Sequence, residues 1–127
     1  MLIKELRGEA IGTISSQSSS EEVFQNQVLR PILKLQNELI LAVFVNYIDK
    51  NKRDFYSLSV EKKIHSIENS IQKDSKLKNI LKGIIISFFT LDEFQMYSQN
   101  SSNTNKRMIS MLIERLKSQI QLLDKQD

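Results

Sequence analysis

Between Glu21 and Leu123 the chain contains one glycine, Gly83, and one proline, Pro31. So long a stretch with so few breakers is hard to divide into strands and turns, because tight turns draw heavily on glycine and proline. Apolar side chains recur along it at steps of three and four, the spacing of one helix face. The pattern predicts an all-α fold: a single-domain bundle of four to six helices over residues 21–127, preceded by a polar N-terminal arm over residues 1–20.

The arm carries Gly8, Gly12 and a serine-rich run from Ser15 to Ser20. A weak alternation (Leu2, Lys4, Leu6; Ile11, Thr13) leaves open a mobile segment or an edge strand. Ser19 followed by Glu22 is a capping-box pattern, so the first helix is expected to begin near Glu21. Its apolar stripe (Val23, Phe24, Val28, Ile32, Leu35, Leu39) is interrupted by Pro31. A proline lacks one N–H and clashes with the carbonyl four residues back, which predicts a kink or break near Leu29–Arg30. From Leu39 to Ile48 only Asn46 is polar, and this segment is expected to be the central, most buried helix. A charged turn over Asp49–Asp54 follows, and Phe55 and Tyr56 fold back onto the core through a short helical turn.

Further helices are marked by their caps. Ser59 precedes the stripe Val60, Ile64, Ile67, Ile71, and Asp74 or Ser75 precedes Leu77, Ile80, Leu81, Ile84, Ile85, Phe88. Gly83 lies inside the latter helix, where a closely approaching backbone would explain it. Thr90 with Glu93 is the clearest capping box, opening a short helix to about Gln99. A polar loop over Asn100–Asn105 and a last helix from about Lys106 to Asp124 complete the expectation. In that last helix Ile109, Ile113, Leu116, Ile120 and Leu123 alternate steps of four and three, a heptad seam. Beyond Leu116 the seam narrows, and Leu116, Ile120 and Leu123 are candidate self-association residues for a homodimer.

Several function classes find little support. The absence of cysteine excludes a disulfide framework and a thiolate metal site. The first residues carry charges (Lys4, Glu5, Arg7) where a signal peptide needs an apolar run. The longest apolar stretches, 39–45 and 83–89, fall far short of the roughly 20 residues of a membrane span. A cytoplasmic protein without membrane contact is expected. Glu61, His65 and Glu68 share one helical face and are the weak metal candidates, since imidazole and carboxylates bind zinc or iron. His65 is, however, the only histidine, whereas di-iron bundles use two Glu-x-x-His motifs. The same scarcity leaves a nucleophilic triad without a motif. No cofactor is expected.

Charge is distributed unevenly. From Lys50 to Lys82 nine basic residues stand against four acidic ones, a local excess of five within a chain of net charge +3. Such an excess can contact phosphates, or simply form the solvated faces of lysine-rich helices. No helix-turn-helix pattern accompanies it. The neighbouring aromatics Phe55, Tyr56, Phe88 and Phe89 fall on core-facing positions rather than on a stacking platform.

Four stretches carry a resemblance: Glu21–Asn37 (EEVFQNQVLRPILKLQN), Leu58–Lys63 (LSVEKK), Leu81–Ile86 (LKGIII) with Phe89 and Thr90, and Asn105–Met108 followed by Ile113–Leu116 (IERL). Over about residues 15–123 the chain resembles a family of short, functionally uncharacterised all-helical proteins of flavobacteria, to which the label "glyoxalase" is often attached. The resemblance implies a helical fold and carries no site residues onto this chain. The label implies a metal-assisted lyase. Enzymes of that kind use paired βαβββ modules with several ligands, or a histidine-rich motif, whereas this chain has one histidine and no run of strands. The residues point instead to a non-catalytic helical protein acting through protein–protein contacts. A nucleic-acid accessory protein using the Lys50–Lys82 excess is the first alternative, and the lyase is the second.

Overall fold

In the computed structural model, which describes residues 20–123, the first helix passes through Pro31 without breaking. It is built as an α-helical start (Ser20–Phe24), a π-helical turn (Gln25–Leu29) and an α-helical end (Arg30–Leu35), together α1. Leu29 and Arg30, where a break was expected, keep right-handed helical angles, and the Arg30 N–H bonds to the Gln25 carbonyl five residues back. The wider turn just before the proline relieves the clash its ring would make with the carbonyl one α-turn earlier. The chain bends at Gln36 instead (φ −95°, ψ 11°), and α2 (Asn37–Asn51) begins there.

Helix α2 is less buried than its composition suggests. Ile40, Phe44 and Ile48, one turn apart, are at most 1% exposed, whereas Leu39 is 47% exposed. Leu41, Val43, Val45 and Tyr47 flank the stripe, partly buried. An all-apolar sequence therefore yields a one-sided helix. It packs on α1, on the helix Ser75–Ile86 and on a 3-10 turn (Arg53–Ser57). That turn brings Phe55 inside, its ring edge-on to Phe44 at 6.3 Å, and Tyr56 donates its hydroxyl to Asp49 at 2.7 Å.

The next three helices start where their caps predict. In α3 (Val60–Lys73) the Ser59 hydroxyl accepts the Lys62 N–H, and in α4 (Ser75–Ile86) the Asp74 carboxylate accepts the Leu77 N–H. Thr90 and Glu93 form a full capping box at α5 (Leu91–Gln99). Each cap meets N–H groups that have no partner inside the helix. Gly83 departs from expectation. It is solvent-exposed, and a Cβ there would meet nothing within 4 Å, so no close backbone approach explains it.

The last helix, α6 (Ser101–Ser118), differs at both ends from the sequence reading. Residues Ser101–Asn105 belong to the helix rather than to a loop. Thr104 is buried there one turn before Met108, and a helix seated by two such side chains overrides polar composition. At its other end α6 stops at Ser118, and a 3-10 turn (Ile120–Leu122) brings Leu123 into the core. Helix α6 packs against α3, α4 and α5, and α3 packs against α4. The core between the helices contains Leu29, Ile32, Ile67, Leu81, Met108 and Leu116, each at 0% exposure. No strand occurs among the described residues. The expected arm over 1–20 (but for Ser20), the Ser19 cap and Asp124 lie outside the described residues.

Candidate functional site

Glu61, His65 and Glu68 all lie on α3. Glu61 and His65 are exposed, and Glu68 is held elsewhere, its carboxylate 2.6 Å from the Lys117 ammonium on α6. The pairing with Lys117 holds the Glu68 carboxyl below, and the Lys117 ammonium above, their ordinary values. Among the described residues no three His, Asp or Glu side chains gather as a metal site. The three residues share a helix face but do not assemble into a ligand set.

The candidate self-association residues differ in how far they are buried within their own chain. Leu116 and Leu123 are fully buried, and Ile120 is packed against the core. Because the helix ends at Ser118, these side chains no longer form a continuous helical seam. Leu122, 55% exposed, is what the terminal turn presents outward.

The lysines of the basic segment divide between two faces and the interior. Lys63 is nearly buried, its ammonium 5.7 Å from the centre of the Phe55 ring. Lys50 and Lys76 line a cleft of about 320 Å³ between α2 and α4. Lys78 and Lys82 line another, of about 570 Å³, between α3, α4 and α6, facing Lys106, Glu114 and the Glu68–Lys117 pair. Of the aromatics, Phe55 and Phe89 are buried at 0% and 7% exposure. They cannot stack on bases.

A third cleft, of about 600 Å³, runs between α1 and α6 and was not foreseen from sequence. Arg30 and Leu33 of α1 face Ser110, Met111, Glu114 and Arg115 of α6 across it. Arg115 donates one hydrogen bond to the Asn37 side chain, at 3.3 Å. Burial, then the neighbouring positive charge of Arg30, lowers its affinity for its proton. The Arg30 Nε is buried without an acceptor. Among the described residues neither guanidinium has a carboxylate partner. Of the acids on these helices, Glu21 and Glu114 are engaged by Arg107 and Lys117 instead. Nothing local signals this pair, since one arginine sits in the first helix and the other in the last.

Helix α5 carries three large outward apolar side chains. Leu91 is 84% exposed, Met96 53% and Phe94 47%. Leu91 and Phe94, three residues apart, share one face. The only buried side chain of this helix is Glu93, its own capping residue. Tyr97 fastens α5 inward, edge-on to Phe89 at 5.7 Å and donating its hydroxyl to Asn105 at 2.7 Å.

Comparison of the chain with models of protein families, with curated proteins and with solved structures finds no match. No helix among the described residues is long and apolar enough to cross a membrane.

Proposed function

We propose that the protein is a cytoplasmic, non-catalytic helical module that works through contacts with another protein, and that α5 makes the contact. The observation that supports this is the inversion of α5, whose leucine, phenylalanine and methionine face solvent while its glutamate is buried. Scattered exposed apolar residues are ordinary, but adjacent ones on a single helix face mark interaction surfaces. The cap Thr90–Glu93 and the Tyr97 anchor, whose ring also rests on Phe94 at 5.8 Å, hold that face in place, so the surface is preorganised. The partner is a protein offering an apolar surface wide enough to cover Leu91 and Phe94.

The test is capture from native cells with the wild-type chain and with a Leu91→Asp/Phe94→Asp variant. Substitutions at exposed positions leave the fold intact, which circular dichroism verifies. The reading expects a protein retained by the wild type and lost by the variant. Identical capture profiles would refute it.

A second reading rests on the exposed part of the Lys50–Lys82 excess, which suits phosphate backbones. The buried aromatics weaken it. Binding to DNA or RNA that falls steeply with added salt would favour this reading over the first. The lyase implied by the family label gains nothing from Glu61, His65 and Glu68, which form no ligand set.

A further inference from the structure

Two like charges placed side by side and left without a counter-ion are costly, and such an arrangement favours an anion that is not part of the chain. Arg30 and Arg115 line the α1/α6 cleft together, the charge of the first acting on the second, and neither has a carboxylate partner among the described residues. The guanidinium is a rigid fork of donors matched to carboxylate and phosphate oxygens. The Arg30 Nε is buried and lacks an acceptor, so the hydrogen-bonding capacity of this side chain is not met within the fold. Ser110 lines the cleft as well and adds a hydroxyl to its wall. Ser118 and Gln119 are occupied, the first with the Arg115 carbonyl and the second with that carbonyl and Asn37.

We propose that this cleft binds a phosphate monoester of a small organic molecule, its phosphoryl group held between Arg30 and Arg115. Two guanidinium groups without a carboxylate partner among the described residues match a phosphate monoester, which carries close to two negative charges at neutral pH, better than a single carboxylate. The cleft, at about 600 Å³, is far larger than a phosphate ion and lies in the range of small-molecule sites. Met111 and the edge of Leu33 supply an apolar flank for the organic part. Glu114 is the opposing charge. It lines the same cleft, its side chain 71% exposed and 3.5 Å from Lys117, and it sets the net attraction for an anion below what the arginines alone would give. The site is independent of the α5 surface and does not rest on it.

The test is titration of the full chain with phenyl phosphate, inorganic phosphate and benzoate at matched ionic strength, followed by the Arg30 Nε–H resonance and by thermal melting. Phenyl phosphate is expected to shift that resonance saturably and to raise the melting temperature, as any ligand of the folded state does. Inorganic phosphate should bind more weakly, and benzoate more weakly still. Arg30→Gln and Arg115→Gln should each weaken binding by about tenfold or more, and Glu114→Gln should strengthen it. An unshifted Arg30 resonance in the wild type would overturn the proposal whether or not the arginine variants fold. Unchanged affinity in folded arginine variants would also overturn it. Equal affinity for benzoate would overturn the assignment to phosphate, and equal affinity for inorganic phosphate the assignment to a monoester.

Discussion

Asn37 and Gln119 hold each other by a reciprocal pair of side-chain amide bonds, Asn37 Nδ2 to Gln119 Oε1 at 2.7 Å and Gln119 Nε2 to Asn37 Oδ1 at 2.8 Å. The pair joins the first residue of α2 to the residue just past the end of α6. Gln119 also donates to the Arg115 carbonyl at 3.0 Å, and that carbonyl is one of the last four of its helix, which have no partner within it. One amide pair therefore closes the α6 end and fixes where α2 departs from α1.

Replacing Asn37 with alanine removes the partner of a part-buried amide. The expected loss is about 1–2 kcal/mol, the cost of leaving such a group unsatisfied, as read from urea unfolding. A loss within experimental error would show that water replaces the amide freely.

The one-sidedness of α2 is open to a paired test. Phe44, 1% exposed against Phe55, should cost about 3–5 kcal/mol when replaced by alanine. Leu39, 47% exposed, should cost less than about 1 kcal/mol when replaced by serine. Comparable losses at both positions would mean that α2 is buried all round after all.

Gly83→Ala is expected to stabilise the protein. Its helix pays about 1 kcal/mol for glycine relative to alanine, and the added Cβ would enter open space. Thermal melting of the two proteins checks this. A lower melting temperature in the alanine variant would reveal a contact to Gly83 in the folded protein.

Tyr56 gives a prediction at high pH. Burial, and then its hydrogen bond to the Asp49 carboxylate, push the phenol up from 10.0 to about 12. A folded-state value above the unfolded one means that the stabilisation is complete below pH 10.0 and is lost as pH rises toward about 12. Melting temperatures should therefore fall across that window in the wild type and fall less in Tyr56→Phe. Parallel declines in both proteins would contradict the assignment.

Local signals were read well from the sequence, and non-local ones were not. Ser59, Asp74 and Thr90 cap their helices as expected, because a cap is settled by a residue and its neighbour three positions on. The polar run Ser101–Asn105 looks like a loop by composition, whereas its helicity depends on the burial of Thr104 one turn before Met108, a tertiary effect. Leu39 lies in an apolar run, and such a run does not say which of its sides is covered. Pro31 signalled disturbance correctly, but the chain absorbed it with a wider turn rather than a break. The Arg30–Arg115 cleft had no sequence signal, since it exists only once the first helix lies against the last. The exposed face of α5 was missed because Leu91 and Phe94 have the spacing of any core stripe.

The central claim, that α5 presents an open protein-binding face, is tested most directly by a photo-crosslinking amino acid placed at Leu91 in the full chain and irradiated in native cells. Glu61, exposed on α3, serves as the control position. The account expects one discrete crosslinked species from position 91 that is absent from position 61 and disappears when Phe94→Asp is added. No crosslink at position 91, or the same diffuse products from both positions, would contradict it.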